Sequence, residues 1–382
     1  MDSSETNVIS CTCVAPINIA VIKYWGKSDE EQVIPLNDSL SVTLDTDCIY
    51  TKTTVKTSAD LFQDTIVINN EKASADNLRF RNCLMEVRKL ASRSKNPISV
   101  ERSKWKVSII SENNFPTKAG LASSASGYAC LVYTLAQLYE IDATSSELSA
   151  IARRGSGSAC RSLFGGFVRW YHQKDPCIAE PIASADHWPE LCCIIAVVSS
   201  SFKSVGSTEG MRRSVDTSSL LQHRAKHVVP NRIQEMQQAI VERNFPRFGE
   251  LTMRDSNQFH AICLDTHPPL FYLNNTSQAI IQLVHSYNEY RQEIAVAYTF
   301  DAGPNAVLFM KENELHRFAA IFHHSFSITP SCEFYRGKFS PERIVLDSEL
   351  ESIVLDQSCR GKVKYAIVSR VGHGPRNIDP TG

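Results

Sequence analysis

Small residues and adjacent hydroxyls are concentrated in the segment 116–125, where a predicted strand gives way to a predicted helix. Small side chains let backbone N–H groups come close to an anion, and a helix N-terminus contributes about half a positive charge. The hydroxyls of Ser123 and Ser124 are suited to donate to phosphate oxygens or to bind Mg²⁺. This pattern favours a triphosphate-binding loop, although it lacks the Gly-Lys-Ser/Thr ending of a Walker loop. A helix start that merely packs against a sheet would account for the same residues.

A second segment, 23–27, places the ammonium groups of Lys23 and Lys27 and the phenol of Tyr24 beside a glycine. If the segment leaves the end of a strand, these groups converge, and together they suit a polyanionic ligand. The alternative is a pair of solvated lysines that flank a buried Trp25.

The third segment, 153–161, follows a predicted amphipathic helix. Gly157 and a second glycine free the backbone, while Ser156 and Ser158 offer hydroxyls. Arg161 has the planar fork that binds a carboxylate or a phosphate through two hydrogen bonds. A flexible linker is the alternative, but linkers seldom lie between an amphipathic helix and an apolar strand.

A single acid, Asp301, stands at the end of an apolar predicted strand and precedes a Gly-Pro turn. In a cationic cleft filled with phosphates, one such carboxylate is suited to orient or deprotonate a hydroxyl. An aspartate that simply begins a β-turn is the common alternative.

Hydrophobic periodicity predicts the elements that must position these groups. Strands are predicted over 8–14, 39–45, 51–55, 65–68, 105–110, 167–171, 191–198, 294–299, 306–310 and 362–369. Helices are predicted over 78–92, from residue 120 onward, over 144–154 behind a capping box, over 218–244 with an interruption at Pro230, and over 248–263, 277–290 and 312–323.

Composition sets the class of protein. The 382 residues allow two or three domains, and 40 Lys and Arg against 41 Asp and Glu give a net charge of −1, which argues against a nucleic-acid partner. The longest apolar run, 191–198, is too short to span a membrane and fits a strand buried on both faces. The twelve cysteines form no Cys-x-x-Cys pair, and the N-terminus lacks a secretory pattern. We therefore expect a reducing compartment, the cytosol, with an organellar pool left open.

Together these segments resemble the GHMP kinase superfamily and, within it, the mevalonate diphosphate decarboxylase family. The segment 116–125 resembles the phosphate loop of the superfamily, with Ala122 where the kinases usually have glycine. The segments 18–27, 155–166 and 300–306 are similar to the decarboxylases, and their Lys-Tyr-Trp-Gly-Lys and Asp-Ala-Gly-Pro-Asn sequences distinguish that family from its kinase relatives. The similarity covers nearly the whole chain.

The resemblance implies an ATP-dependent reaction in isoprenoid and sterol precursor synthesis. The 3-hydroxyl of mevalonate 5-diphosphate is phosphorylated, and the new phosphate then leaves with loss of the carboxylate as CO₂, giving isopentenyl diphosphate. The resemblance implies that Asp301 is the base, that Arg161 holds the carboxylate, and that Lys23 and Ser124 are also catalytic, Ser124 binding Mg²⁺. The implied substrate-binding residues are Tyr24, Trp25, Lys27, Ser156, Gly157, Ser158, Arg161 and Ser207. The implied nucleotide-binding residues are Ser111, Asn113, Gly120, Leu121, Ala122, Ser123 and Ser124.

The implied fold is α+β. It has an N-terminal ribosomal-protein-like α+β domain over 1–190 and a C-terminal ferredoxin-like α/β domain over 191–382, with the active site in the cleft between them. ATP and Mg²⁺ are the implied cofactors, and a homodimer is the implied assembly. Two alternatives stay open: a GHMP kinase that phosphorylates mevalonate or a phosphomevalonate without decarboxylation, and a non-catalytic sensor that binds nucleotide and regulates a partner.

Overall fold

Helices and four sheets make up the part of the chain that the structure describes. The computed structural model describes residues 8–115, 123–172, 178–198, 204–337, 346 and 348–379. The strands are β1 (Ile9–Pro16), β2 (Asn18–Ile22), β3 (Lys27–Asp29), β4 (Ile34–Pro35), β5 (Ser39–Thr43), β6 (Tyr50–Ser58), β7 (Thr65–Ile68), β8 (Glu71–Ala73), β9 (Lys106–Asn113), β10 (Phe167–Trp170), β11 (Ala179–Ala183), β12 (Leu191–Val197), β13 (Val296–Phe300), β14 (Ala306–Lys311), β15 (Tyr335–Arg336), β16 (Tyr365–Arg370) and β17 (Arg376–Asn377). The α-helices are α1 (Leu78–Ser92), α2 (Pro97–Arg102), α3 (Ser123–Leu138), α4 (Ser145–Gly155), α5 (Ser207–Thr217), α6 (Ser219–His223), α7 (Val229–Val241), α8 (Phe245–Asp265), α9 (Asn275–Arg291), α10 (Glu312–Phe326), α11 (Ser331–Phe334) and α12 (Ser348–Glu351).

Two sheets belong mainly to the first half of the chain. The larger has the strand order β17-β1-β6-β9-β7-β8, and the smaller has the order β11-β10-β5-β2. Burial alternates along β6, with Thr51, Thr53 and Val55 inside, as expected for a sheet that has one buried face. Val55 belongs to the same apolar core as Ala129 and Val132 of α3. This core also includes side chains of α1 and α4.

The second half is built on a five-stranded sheet with the order β13-β14-β12-β16-β15. All seven residues of β12 are buried, and the strand pairs with β14 on one side and with β16 on the other. Helices α7, α8, α9 and α10 contribute to the same core. The prediction of a strand buried on both faces at 191–198 is therefore confirmed.

Several local predictions are confirmed in detail. The predicted bounds of the helix over 78–92 and of the strand over 65–68 agree with α1 and β7. Thr144 and Glu147 form both hydrogen bonds of a capping box at the start of α4. The interruption predicted at Pro230 is a π-helical turn, Arg224–Val228, which ends directly before α7.

Other elements were not predicted, because their sequences carry weak signals. After Asn18, strand β2 is apolar and buried without alternation, and α2 has only six residues behind an Asn96 cap. The chain also returns to its first half near the end, where β17 pairs antiparallel with β1 and Val371 bridges to Leu44. Among the described residues, no helix is both long and apolar enough to cross a membrane.

Candidate active site

A cavity of about 300 Å³ is lined by residues from both halves of the chain. The end of β2, the junction after α4 and the first residues of α3 line it from the first half, and the starts of α5 and of the loop after β13 line it from the second. The structure thereby brings together most of the residues that the sequence singled out. They are Lys23, Tyr24, Trp25, Lys27, Ser123, Ser124, Ser156, Gly157, Ser158, Arg161, Ser207 and Asp301.

Lys23 and Asp301 form an ion pair in this cavity. Nζ of Lys23 donates to Oδ1 of Asp301 over 2.7 Å. The lysine side chain is 3% exposed, whereas the aspartate side chain is 27% exposed. Among the described residues, no donor is bonded to the other carboxylate oxygen, Oδ2. One oxygen of Asp301 is therefore fixed by a cation, and the other is available to a ligand.

Arg161 lies in the 3₁₀-helical turn Gly157–Leu163 and is 2% exposed. Its Nε donates to Oδ1 of Asn18 over 3.1 Å, and Nη1 donates to the Ser39 hydroxyl. No carboxylate of the described residues lies within ion-pair distance of the guanidinium. Burial lowers the pKa of Arg161 from its ordinary value, as expected for a cation that has lost its water. A buried arginine without a counterion is a ready partner for an anionic ligand.

The segment that follows β2 turns sharply at Gly26, whose φ of +90° is rarely adopted by L residues. This turn brings the Lys27 ammonium, which pairs with Glu30, into the same cavity as Lys23. The ring of Trp25 is packed edge-on against Phe259, and its N–H donates to a serine hydroxyl. Trp25 therefore presents an apolar wall rather than a donor.

Tyr24 presents a buried hydroxyl that meets no hydrogen-bond partner among the described residues. Its ring packs edge-on against Trp170, with 4.7 Å between the centroids. Burial raises the pKa of the phenol well above its ordinary value, so it remains a donor. Buried polar groups are normally satisfied, so this hydroxyl is a candidate ligand contact.

Hydroxyls from two elements meet on one side of the cavity. The Ser124 and Ser156 hydroxyls lie 3.1 Å apart, at the N-terminus of α3 and the C-terminus of α4. The Ser158 carbonyl accepts a hydrogen bond from Asn18. Ser207 is the first residue of α5 and lines the cavity from the second half.

The other predicted nucleotide-binding residues lie elsewhere. Asn113 is the last residue of β9 and lines a separate polar depression of about 500 Å³. Ser111 hydrogen-bonds to Thr53 across the sheet over 3.0 Å and does not line that depression. The phosphate-loop residues Gly120, Leu121 and Ala122 lie outside the described residues.

Sequence reasoning missed two cationic contacts and one positioning group. Arg79 of α1 lines the cavity and donates to Thr208 of α5 over 3.1 Å. Arg154 also lines it, and Asn18 orients Arg161 from behind. A single arginine at a helix start carries no motif, so only its position in the fold reveals it.

The electrostatic balance of the cavity is positive. Five cationic side chains line it against three acidic ones, Glu30, Glu31 and Asp301. Among the described residues, no group of three or more His, Cys, Asp or Glu side chains could hold a metal ion by itself. The site therefore suits a ligand with several negative charges, with one carboxylate placed to act on a hydroxyl.

Comparison with solved structures defines the class of protein. The fold is that of the GHMP kinase superfamily, which confirms the predicted fold. Mevalonate diphosphate decarboxylase from Trypanosoma brucei has a TM-score of 0.88 and 36% identity, covering 97% of this chain and 98% of its own. A protein designated MDDEF has a TM-score of 0.75 and 29% identity, covering 98% of this chain and 100% of its own, and was solved in complex with MVAPP, AMPPCP and magnesium.

The chain belongs to the diphosphomevalonate decarboxylase family. Residues 15–180 match the diphosphomevalonate decarboxylase-like N-terminal domain, and residues 193–378 match the mevalonate 5-diphosphate decarboxylase C-terminal domain. The diphosphomevalonate decarboxylase of Danio rerio is 52% identical over 376 residues, which is 96% of this chain and 92% of the relative.

Proposed function

We propose that this protein converts mevalonate 5-diphosphate and ATP into isopentenyl diphosphate, ADP, phosphate and CO₂. Membership of the family supports the reaction, and the cavity supplies groups that fit each part of it. The observation that carries the proposal is the presence in one cavity of a Lys23–Asp301 pair and of a buried Arg161 with no carboxylate partner among the described residues.

In the first step, the 3-hydroxyl oxygen of the substrate attacks the γ-phosphorus of ATP. Its proton passes to Oδ2 of Asp301, the oxygen that Lys23 does not occupy. The bond between the γ-phosphorus and the bridging oxygen breaks, and ADP leaves. A tertiary alcohol is a crowded nucleophile, so positioning and charge neutralisation contribute most of the rate. Lys23 fixes the carboxylate that receives the proton.

In the second step, the C3–O bond breaks and phosphate leaves with its electron pair. The C1–C2 bond breaks as well, its electrons form the C2–C3 double bond, and CO₂ is released. Arg161 binds the C1 carboxylate through its planar fork and fixes its orientation relative to the leaving phosphate. Asn18 accepts the Nε proton and Ser39 accepts one of the two Nη1 protons. The fork that meets the substrate is therefore made of Nη2, which has no acceptor among the described residues, and of the second Nη1 proton.

The cationic rim binds the diphosphate. Lys27, Arg79 and the Tyr24 hydroxyl are the groups that we assign to it, together with Ser158 and Ser207. Arg79 reaches across to the second half through Thr208, so a bound diphosphate would contact both halves. These assignments rest on the position of each group in the cavity.

Nucleotide and metal are assigned to the hydroxyl side of the cavity. Mg²⁺ usually takes one or two protein oxygens and completes its shell with water and phosphate oxygens. The hydroxyls of Ser124 and Ser156, which lie 3.1 Å apart, are hard oxygen donors of this kind. When bound, the ion would neutralise charge on the phosphates of ATP. We place the adenosine toward the polar depression lined by Lys52, Asn69 and Asn113.

We further propose that the chain divides near residue 190 into an ATP-binding domain and a domain that carries Asp301. The two family models, which end at residue 180 and begin at residue 193, support this division. The homodimer and the cytosolic location stay predictions.

One experiment tests the function. The protein is incubated with ATP, Mg²⁺ and mevalonate 5-diphosphate, and ADP and CO₂ are measured in the same samples. We expect one CO₂ for each ADP. Release of ADP without CO₂ would replace the proposal with a kinase, and release of neither product would overturn it.

A further inference from the structure

Helix α8 contacts both backbones that carry the Lys23–Asp301 pair. We propose that two successive residues of this helix, Asp255 and Ser256, are positioning residues that set the distance between the two charged groups. The inference rests on the proposed function of that pair. Neither residue lines the cavity, and each acts through a backbone N–H.

Asp255 holds the lysine side of the pair. Its Oδ2 accepts the backbone N–H of Lys23 over 2.7 Å, while its Oδ1 accepts from Nη1 of Arg224 over 2.7 Å and from Nη1 of Arg232 over 2.8 Å. Nη2 of Arg224 also donates to the Lys23 carbonyl over 3.3 Å. The peptide of Lys23 is therefore held on both sides by one buried ion cluster.

The carboxylate of Asp255 is fully buried, as is the Arg224 side chain. Burial opposes ionisation, but the guanidiniums of Arg224 and Arg232 outweigh it and hold the pKa of Asp255 below its ordinary value. The clamp on Lys23 is therefore charged at neutral pH. A buried ion cluster adds little net stability compared with well-packed apolar groups. We therefore assign this cluster a positioning effect on the Lys23 backbone rather than a role in overall stability.

Ser256 holds the aspartate side. Its hydroxyl accepts the backbone N–H of Phe300 over 3.0 Å, and Phe300 is the last residue of β13, directly before Asp301. One residue further along α8, Asn257 accepts from the Tyr298 hydroxyl over 3.1 Å. The end of β13 is thus hydrogen-bonded to the same turn of α8 that accepts the Lys23 backbone N–H.

The sheets themselves do not set this distance. Strand β2, which ends just before Lys23, belongs to the four-stranded sheet, and β13 belongs to the five-stranded sheet. Among the described residues no strand ladder joins these two sheets. They meet in an isolated bridge between Leu44 and Val371, which follow β5 and β16 and not the strands that lead to the pair. In the sequence, 278 positions separate Lys23 from Asp301. Adjacent residues of one helix therefore provide a direct link between the two strand ends, whose side chains keep a 2.7 Å contact.

Ser256→Ala is the test, because it removes the acceptor for Phe300 and leaves every cavity side chain in place. Thr252→Ala is the matched control: Thr252 is buried on the same helix, but its hydroxyl bonds to the Phe248 carbonyl within that helix. Asp255→Asn, which keeps the shape and removes the charge, tests the lysine side.

Two measurements decide the outcome. In crystal structures of Ser256→Ala and Asp255→Asn, we expect the Lys23 Nζ to Asp301 Oδ1 distance to exceed hydrogen-bond range, about 3.5 Å. In steady-state kinetics, we expect kcat to fall about 10–100-fold while both KM values stay within about twofold, because small displacements of reacting groups act on turnover. Thr252→Ala should change neither.

An unchanged Lys23–Asp301 distance in both variants would overturn the inference. So would an unchanged kcat, or an equal loss of kcat in Thr252→Ala, which would indicate a merely structural role. If the wild-type protein releases no CO₂, the proposed function fails, and the crystallographic distances still decide whether α8 sets the pair. If Asp255→Asn does not fold, Ser256→Ala decides alone.

Discussion

Arg161 is fastened to Asn18, whose Oδ1 accepts a hydrogen bond from the arginine Nε over 3.1 Å. The amide nitrogen of Asn18 donates in turn to the Ser162 hydroxyl over 2.8 Å and to the Ser158 carbonyl over 3.0 Å. The asparagine therefore connects β2 with the 3₁₀-helical turn that carries the arginine. This contact fixes the plane of the guanidinium before any ligand arrives, which is the arrangement that oriented binding of a carboxylate requires.

The first prediction follows from the fixed orientation of the Arg161 guanidinium. Arg161→Lys keeps the positive charge but loses the fork and the bond to Asn18, so we expect kcat/KM to fall about 10²–10³-fold. Arg161→Gln should be impaired further, because it also loses the charge. The measurement is the yield of CO₂ and of ADP in a single turnover. A fully active Arg161→Lys would contradict the bidentate role and leave the overall reaction intact.

The second prediction concerns Asp301. Asp301→Asn removes the proton acceptor and keeps the size of the side chain, so turnover should fall by about 10²–10⁴ while both KM values stay within a few fold. Steady-state release of ADP measures both quantities. Near-normal turnover in this variant would show that Asp301 only begins a turn.

Features of the fold and the site could be predicted from the sequence when they depend on residues that are close together in the chain. The capping box of Thr144 and Glu147 is a spacing rule within four residues, and the structure forms it as predicted. The arginine segment, 155–161, also carries its residues at fixed short spacings. In these cases neighbouring residues define the geometry, so the sequence contains it.

Other features depend on contacts between distant parts of the chain. The hydrogen bond from the Lys23 backbone N–H to Asp255 joins positions that are 232 residues apart. The residues next to Lys23 and Asp255 in the sequence give no indication of this contact. In the sequence, Asp255 is one polar residue of a predicted helix. Its complete burial results from the packing of α8 on β2 and cannot be predicted from the helix alone. For the same reason, Arg79 had no signal in the sequence, although it lines the cavity.

The third prediction tests the metal and nucleotide side. Ser124→Ala removes one of two hydroxyls that lie 3.1 Å apart, so turnover should fall or the KM for ATP should rise more than the KM for mevalonate diphosphate. The reaction should also require a divalent ion. Kinetics measured at several Mg²⁺ concentrations check both points. Unchanged ATP kinetics in Ser124→Ala and in Ser123→Ala would place the nucleotide elsewhere.

The fourth prediction uses two glycines as a matched pair. A Cβ at Gly157 would lie 2.9 Å from both Trp170 Cη2 and the Tyr24 hydroxyl, whereas a Cβ at Gly127 of α3 would meet nothing within 4 Å. Gly157→Ala should therefore lower the free energy of unfolding by about 1–3 kcal/mol and raise the KM for mevalonate diphosphate. Gly127→Ala should raise it by about 0.5–1 kcal/mol. Denaturant unfolding measures both, and equal effects would contradict the crowding at Gly157.

The last prediction concerns a buried histidine beside the ion pair. His260 of α8 is 8% exposed, and its Nε2 meets no partner among the described residues. Burial, assisted by the nearby Lys23 ammonium, lowers the pKa of His260 from 6.5 to about 3. The imidazole is therefore neutral in the folded protein throughout the neutral range and does not compete with Lys23 for Asp301.

The lowered pKa of His260 makes the free energy of unfolding depend on pH. Below pH 6.5 the unfolded chain binds a proton at His260 that the folded chain does not bind until about pH 3, so the free energy of unfolding decreases as pH falls through that window. Between pH 7 and pH 5 this one residue should cost about 2 kcal/mol. His260→Gln should remove that part of the slope, whereas His373→Gln, at a side chain that is 78% exposed, should leave it in place. Urea unfolding of the three proteins at pH 7, 6 and 5 measures the slopes. A His260→Gln slope equal to that of the wild type would show that folding does not lower the pKa of His260.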